Sequence, residues 1–170
     1  MKAKERRNNI KNLLINSSNP IKGQELAEKL GVTRQVIVKD IALLRAEGKK
    51  IIATPEGYLV TKNQENLITK IIAVSHNVED IQDELETVIK FGGIVKDVVV
   101  EHSVYGEIKA MIMIKSLYDV HNFMKKINKG KGEPLLVLTG GIHLHTICAD
   151  NDEIMDNILS ELKNKKYLIY

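Results

Sequence analysis

Gln24–Arg45 reads QELAEKLGVTRQVIVKDIALLR, and Gly48–Val60 continues as GKKIIATPEGYLV. In the first stretch Leu26, Ala27 and Leu30 recur at helical spacing and predict a short helix over Gln24–Leu30. Gly31 follows where a helix ends in the left-handed conformation, which a residue without Cβ adopts at little cost. Thr33 then caps a further helix whose buried face is Val36, Ile37, Ile41 and Leu44, and Gly48 ends it. Helix, three-to-four-residue turn, helix is the geometry that presents the later helix to the DNA major groove. Beyond it, Lys49–Ala53, a Pro55–Gly57 turn and Tyr58–Val60 predict a β-hairpin wing.

Upstream, Ile10, Leu13 and Leu14 predict a preceding helix over about Lys4–Ile15, closed by Asn16–Pro20 (NSSNP). Residues 1–62 carry 13 Lys/Arg against 6 Asp/Glu, net +7, and no histidine. Residues 63–170 carry 12 against 16, net −4, and all five histidines. The split divides the 170-residue chain into a DNA-binding domain, 1–62, and a sensing domain, 66–170, with Asn63–Asn66 as a polar joint. Thr33, Arg34, Gln35 and Lys39 are the DNA candidates of the second helix of the pair. Arg and Gln suit bidentate contacts with guanine and adenine edges, and Lys39 suits a phosphate. Lys49 and Lys50 at the base of the wing are placed over phosphates.

Several classes are excluded or set aside by composition. The longest apolar runs, such as Ala110–Ile114, fall far short of a membrane helix, and Met1–Lys11 lacks the apolar stretch of a secretory signal. One cysteine, Cys148, forms no internal disulfide and reads as a small buried apolar residue, so a cytoplasmic location is expected.

In the acidic part the predicted order is strand (Leu67–Ser75), helix (Asn77 to about Phe91), two strands (Ile94–Glu101 and Glu107–Lys115), helix (Tyr118–Ile127), two strands (Leu135–Thr139 and His143–Ala149) and helix (Asp152–Asn164), with Lys165–Tyr170 as a short final strand. Gly92-Gly93, Gly130–Pro134 and Gly140-Gly141 supply the breaks. This is an α+β arrangement, a sheet with helices packed on one side.

His143 and His145 are two apart on a strand, so both rings project from one face. His76 sits where a strand gives way to a helix. Among the acids of that helix, Glu84 lies closest to the apolar stripe of Val78, Ile81, Leu85, Val88 and Ile89, while Glu79, Asp83 and Glu86 read as solvent-facing. Asp80 is further round and favours the helix dipole, so it stands as the substitute for Glu84. His76, Glu84, His143 and His145 are thus the candidate metal ligands, a set suited to a divalent transition ion such as Zn, Ni, Fe, Mn or Co. His102 either lines a ligand pocket or fixes the Val104-Tyr105-Gly106 loop, and His121 reads as a surface residue.

The head resembles the winged helix-turn-helix of bacterial regulators, including the biotin-repressor type. VSHNVEDIQDELETVIKFGG (74–93), VVVEHSVYGEI (98–108) and LTGGIHLHTI (138–147) resemble the three signature segments of the 3H domain. A winged helix joined to a 3H domain is similar to the niacin-responsive repressors of NAD biosynthesis, and the resemblance spans essentially the whole chain. It implies a repressor of NAD-synthesis and niacin-uptake genes that binds operator DNA, with nicotinic acid as co-repressor and nicotinamide as the other candidate effector. It also implies a metal held by His76, Glu84, His143 and His145. One position departs from the pattern: Ser103 follows His102 where the family is expected to carry Pro, which relaxes the turn and leaves the histidine in place.

On this reading His102, Gly140 and Gly141 are the ligand-binding candidates, the two glycine amides cradling a small planar anion beside the metal. A homodimer is expected from the two-fold symmetry of operators. The rival class is a metal-dependent hydrolase or transferase acting on a niacin-related metabolite with an attached DNA-binding domain. No P-loop, GxGxxG unit or nucleophile–base pair in the sequence supports it, although a three-His, one-Glu metal leaves room for a catalytic water.

Overall fold

The computed structural model describes residues 2–60, 66–130 and 132–169. The chain divides into two compact units, residues 1–64 and 65–170. The expected joint at Asn63–Asn66, the Lys62 domain edge and Lys131 of the Gly130–Pro134 break fall wholly or largely outside the described residues.

The first unit comprises α1 (Ala3–Asn16), α2 (Gly23–Leu30), α3 (Arg34–Ala46) and the antiparallel hairpin β1 (Ile51–Thr54) and β2 (Gly57–Val60). Its core gathers Ile10 and Leu14 of α1, Leu26 and Ala27 of α2, and Ile37, Ile41 and Leu44 of α3, with Ile51 of the wing. Each such aliphatic side chain contributes about 1.5–3 kcal/mol when fully buried. Gly31 adopts φ +64° and its N–H closes α2, and the Thr33 hydroxyl accepts from the Val36 N–H at 3.4 Å to start α3. The wing is tied to the helices through Ile21, which exchanges two backbone hydrogen bonds with Tyr58 at 2.8 and 2.9 Å. Gly57 makes that approach possible, because a Cβ there would lie 2.4 Å from the Ile21 carbonyl oxygen.

The second unit is one antiparallel four-stranded sheet in the order β3-β6-β4-β5, formed by β3 (Ile68–Ser75), β4 (Ile94–His102), β5 (Gly106–Ile114) and β6 (Ile142–Ala149). Helices α4 (Ile81–Lys90), α5 (Leu117–Asn128) and α6 (Asp152–Asn164) share one core with a single sheet face. Ile72 and Val74 of β3, Ile147 and Ala149 of β6, and Val95, Ile112 and Ile114 meet Ile81, Leu85 and Val88 of α4, Val120 of α5 and Met155, Ile158 and Leu162 of α6. The architecture is α+β, a helix-turn-helix unit followed by a sheet with helices on one side. His143 and His145 share the parity of Ile147 and Ala149, so the alternation that builds the core also turns both imidazoles inward.

Two predicted strands are not strands. Leu135–Thr139 is a 3-10 segment, closed between Pro134 and Gly140 by Val137 N–H to Pro134 O and Gly141 N–H to Leu136 O. Over 165–169 the chain makes only a single bridge, Leu168 with Val74 at the edge of β3, and Tyr170 lies outside the described residues. The helix after Asn77 opens with a 3-10 turn, Val78–Asp80, before α4 proper.

Candidate functional site

In the first unit, burial of Ile37, Ile41 and Leu44 rotates the opposite side of α3 outward. Arg34, Gln35 and Lys39 are all exposed there, as are Lys49 and Lys50 just before the wing, and Thr33 is engaged as the helix cap. Arg6 and Arg7 are not free additions to this basic face. Asp40, an acid buried within the apolar side of α3, takes Arg6 Nε at 2.6 Å and Arg7 Nη1 at 3.7 Å. Asp40 went unassigned in the sequence because its partners lie more than 30 residues away. Its place between Ile37 and Ile41 was the available signal.

In the second unit the four metal candidates converge. His76 follows the last residue of β3, Glu84 lies in the first turn of α4, and His143 and His145 project from β6; their exposures are 8%, 1%, 3% and 4%. The ligand atoms of His76, Glu84 and His143 lie within 4.8 Å of one another. Glu84 Oε2 is the hub: His76 Nε2 is 2.7 Å away, His145 Nε2 3.4 Å and His143 Nε2 3.6 Å. The rings stand edge-to-face, His143 with its centroid 4.9 Å from His76 and 4.8 Å from His145.

Each Nδ1 is spoken for by a backbone carbonyl: His76 by Asn77 O at 2.7 Å, His143 by Gly141 O at 2.9 Å and His145 by Asp97 O at 2.5 Å. A carbonyl only accepts, so Nδ1 carries the proton in all three, and every Nε2 is turned to the carboxylate. This is how metal-binding histidines are fixed in orientation and tautomer. Three imidazoles and a carboxylate form a donor set for a divalent transition ion. The other Glu84 oxygen, Oε1, is buried with no hydrogen-bond partner, so one strong acceptor is left over that the protein does not satisfy. The residues therefore fit a bound metal ion.

The carboxylate and its neighbouring rings shift one another's titration. Burial opposes the charge on His76, but the hydrogen bond and charge of Glu84, helped by the Asn77 carbonyl, outweigh it and raise the pKa. His145 is likewise raised: burial opposes its charge and is overcome by the charge and hydrogen bond of Glu84. Burial favours the neutral form of Glu84, yet the three surrounding imidazoles hold it well below the ordinary carboxylate range.

The remaining candidates are placed differently. Asp80 is not in the cluster; its carboxylate accepts the Asn77 N–H at 3.4 Å, so Glu84 needs no substitute. His102 sits at the end of β4, where its Nδ1 accepts the Val104 and Tyr105 N–H groups at 3.2 and 3.3 Å, the turn-fixing geometry. His121 is exposed. Gly140 and Gly141 do not offer free amides, because both donate within the turn, to Val137 O and Leu136 O. In this conformation both amides of the expected cradle are engaged. Gly141 serves packing: a Cβ there would lie 2.6 Å from the His76 carbonyl oxygen, and its own carbonyl orients His143. Asp83 is not simply solvated either, since it accepts from Lys165 Nζ at 2.7 Å and from the Tyr167 hydroxyl at 2.9 Å. Those two contacts bring the C-terminal segment beside the cluster, where the Tyr167 ring meets His76 at 5.2 Å. Among the described residues no helix is long and apolar enough to cross a membrane.

Comparison with known proteins agrees with both units. A family model described as an HTH domain matches residues 6–59, and the 3H domain model matches residues 69–170. The chain is 46% identical over 165 residues to a protein of Thermotoga maritima named "Probable transcription repressor NiaR", covering 97% of this chain and 94% of that one. It is 40% identical over 167 residues to the "Transcription repressor NadR" of Bacillus subtilis, covering 96% and 93%. With the helix-turn-helix unit and the histidine-bearing sheet domain in the same order along nearly the full length, the chain belongs to the family of transcription repressors that join an HTH domain to a 3H domain.

Proposed function

We propose that this protein is a metal-dependent, niacin-responsive repressor of genes for NAD synthesis and niacin uptake. The observation that carries the reading is the buried convergence of His76, His143 and His145 on Glu84, with Glu84 Oε1 left unpartnered. These four side chains would hold one divalent transition ion, whose chemistry at this site is to accept a ring nitrogen or carboxylate of a small aromatic acid. The protein's part is to keep three Nε2 atoms aimed at one point through the Asn77, Gly141 and Asp97 carbonyls. The DNA-reading residues are Arg34, Gln35 and Lys39 on α3, with Lys49 and Lys50 on phosphates and Thr33 fixing the start of the helix.

Two copies with their α3 helices about one DNA turn apart match the palindromic operators that such units read. The names of the relatives favour this regulatory reading over the metal-hydrolase or transferase alternative. The test is binding of metal-loaded protein to a duplex selected by the protein from a random pool, with and without nicotinic acid or nicotinamide. Tighter binding with one of them, lost on chelation, is the expected result. Equal affinity under all conditions removes the sensing role.

A further inference from the structure

Asp97 is fully buried in the middle of β4, although its side chain points away from the helix-covered core. The register of β4 with β6 slips between Val95 and Asp97, so β4 carries one extra residue, Lys96, against its neighbour. In an unbroken antiparallel ladder the Thr146 amide, which points toward β4, would donate to a β4 carbonyl. Here it donates to the Asp97 carboxylate, Oδ1, at 2.9 Å. The side chain thus takes the Thr146 amide, while the Asp97 carbonyl takes the Nδ1–H of His145 at 2.5 Å. The other carboxylate oxygen faces Lys109 Nζ at 2.9 Å, close enough for an ion pair though not aligned as a hydrogen bond.

We infer that Asp97 is a positioning residue for the metal centre: its carboxylate takes over the Thr146 amide so that its own carbonyl can orient the His145 imidazole toward Glu84. No other side chain offers the Thr146 amide an alternative acceptor among the described contacts, so removing the carboxylate leaves a buried N–H to compete for the carbonyl that His145 uses. The inference rests on the metal reading of the cluster for its consequence. The positioning itself is a property of the chain alone.

The test is made on the full-length protein with Asp97→Ala, Asp97→Ser and Asp97→Asn. The primary readout is the His145 Nδ1–H proton in the metal-free protein, observed by NMR as a slowly exchanging resonance. It is expected to be present in the wild type, lost in Asp97→Ala and Asp97→Ser, and restored in Asp97→Asn, whose amide oxygen still accepts from Thr146. The second readout is titration with Co2+ alone, followed by its visible absorption. Affinity should fall about 10- to 100-fold in Asp97→Ala and Asp97→Ser, with band intensities changed by loss of a ligand, and recover in Asp97→Asn. If Asp97→Ala does not fold, the Ser and Asn variants decide. A slowly exchanging His145 proton that survives in Asp97→Ser, or that Asp97→Asn fails to restore, overturns the positioning role. Absence of Co2+ uptake by the wild type overturns the metal reading instead, and the proton measurement still decides the role of Asp97.

Discussion

His76 Nε2 lies 2.7 Å from Glu84 Oε2, while the same ring's Nδ1 donates to the carbonyl of Asn77. Glu84 favours the charged form of that ring against the opposing effect of burial, so the pair sets two buried, mutually dependent titrating groups side by side. Two residues eight apart thereby join the end of β3 to the first turn of α4. The same Nε2 is the atom a metal would take, so protons and metal compete for one site.

His76 and His145 have raised pKa values in the folded chain. Their contribution to stability is fully present below the unfolded value of about 6.5 and is lost as pH rises through the folded values. Glu84 is depressed, so its contribution is present above the unfolded value of about 4.3 and lost as pH falls through the folded one. Metal-free protein should therefore lose thermal stability as pH rises above about 6.5, where the histidines deprotonate. Saturating Zn2+ should restore it and bind more tightly as pH rises. A metal-free Tm that stays flat across this range contradicts the charged-cluster account.

Glu84→Gln isolates the role of the carboxylate, because the side chain keeps its shape and loses its charge. Metal affinity is expected to fall by more than about 100-fold, since even a partner outside the ligand set commonly accounts for 10–100-fold. The pH dependence of the metal-free Tm should flatten in the same variant, because nothing then holds His76 and His145 in the charged form. Competition against a chromophoric chelator and thermal melts at pH 6 and 9 measure the two effects. A Gln variant that retains both the metal affinity and the pH slope excludes Glu84 as the hub.

How far the sequence carried this site depended on whether the deciding contact was local. Periodicity alone picked Glu84, because it lies nearest the α4 stripe that includes Ile81, Leu85 and Val88, and strand alternation put His143 and His145 on one face. Gly31 and Thr33 marked the turn before α3 by their own chemistry. What escaped was set by partners far along the chain: Asp40 by Arg6, Asp83 by Lys165 and Tyr167, and Asp97 by Thr146. Leu135–Thr139 misled for another reason. Four apolar residues and a threonine between Pro134 and a glycine pair carry no period that separates a strand from a tight 3-10 turn. For Gly140 and Gly141, sequence shows that an amide exists, not whether a neighbouring carbonyl has already taken it.

On the DNA side the two sets of residues should separate by salt dependence. Arg34→Ala and Gln35→Ala are expected to weaken binding to a selected duplex more than to random DNA, by about 1–3 kcal/mol for each lost bidentate base contact. Lys49→Ala and Lys50→Ala should weaken both alike and reduce the slope of log K against log salt by about 0.9 per lost phosphate contact. Fluorescence anisotropy at several salt concentrations reads both quantities. Lysine variants that change base preference, or an Arg34 variant that changes only the salt slope, would reverse the assignment.

Asp40 should matter to the head through stability. Its carboxylate is buried between Ile37 and Ile41 and compensated by Arg6 and Arg7, whose side chains are only 14% and 22% exposed. Breaking a buried pair by removing one partner costs about 3–5 kcal/mol, and the partial exposure of both arginines puts Asp40→Ala at the low end. Arg6→Ala should cost less, because Arg7 remains within reach of the same carboxylate. Urea unfolding of the full chain, followed by a probe in the first unit, measures the difference. Equal small losses in both variants would mark Asp40 as a surface acid.

Tyr167 gives the last test, because it links the C-terminal segment to the centre in two separable ways. Its hydroxyl donates to Asp83 at 2.9 Å, and its ring packs edge-on to His76 at 5.2 Å. Burial, reinforced by the hydrogen bond and charge of Asp83, pushes the phenol well above its ordinary pKa, so it stays a donor throughout the accessible pH range. Tyr167→Phe removes only the donor and should cost about 0.5–1.5 kcal/mol, with the His76 ring resonances little moved. Tyr167→Ala removes the ring as well; it should cost about 2 kcal/mol, shift those resonances and admit water to His76. Segment 165–169 would still be tied to β3 by its backbone bonds, Ser75 N–H to Tyr167 O and Ile169 N–H to Ala73 O. Loss of metal affinity in the alanine variant but not in the phenylalanine variant is therefore the expected pattern, measured by chelator competition. Equal losses in the two would mean that the Asp83 hydrogen bond, and not the ring, holds His76 in place.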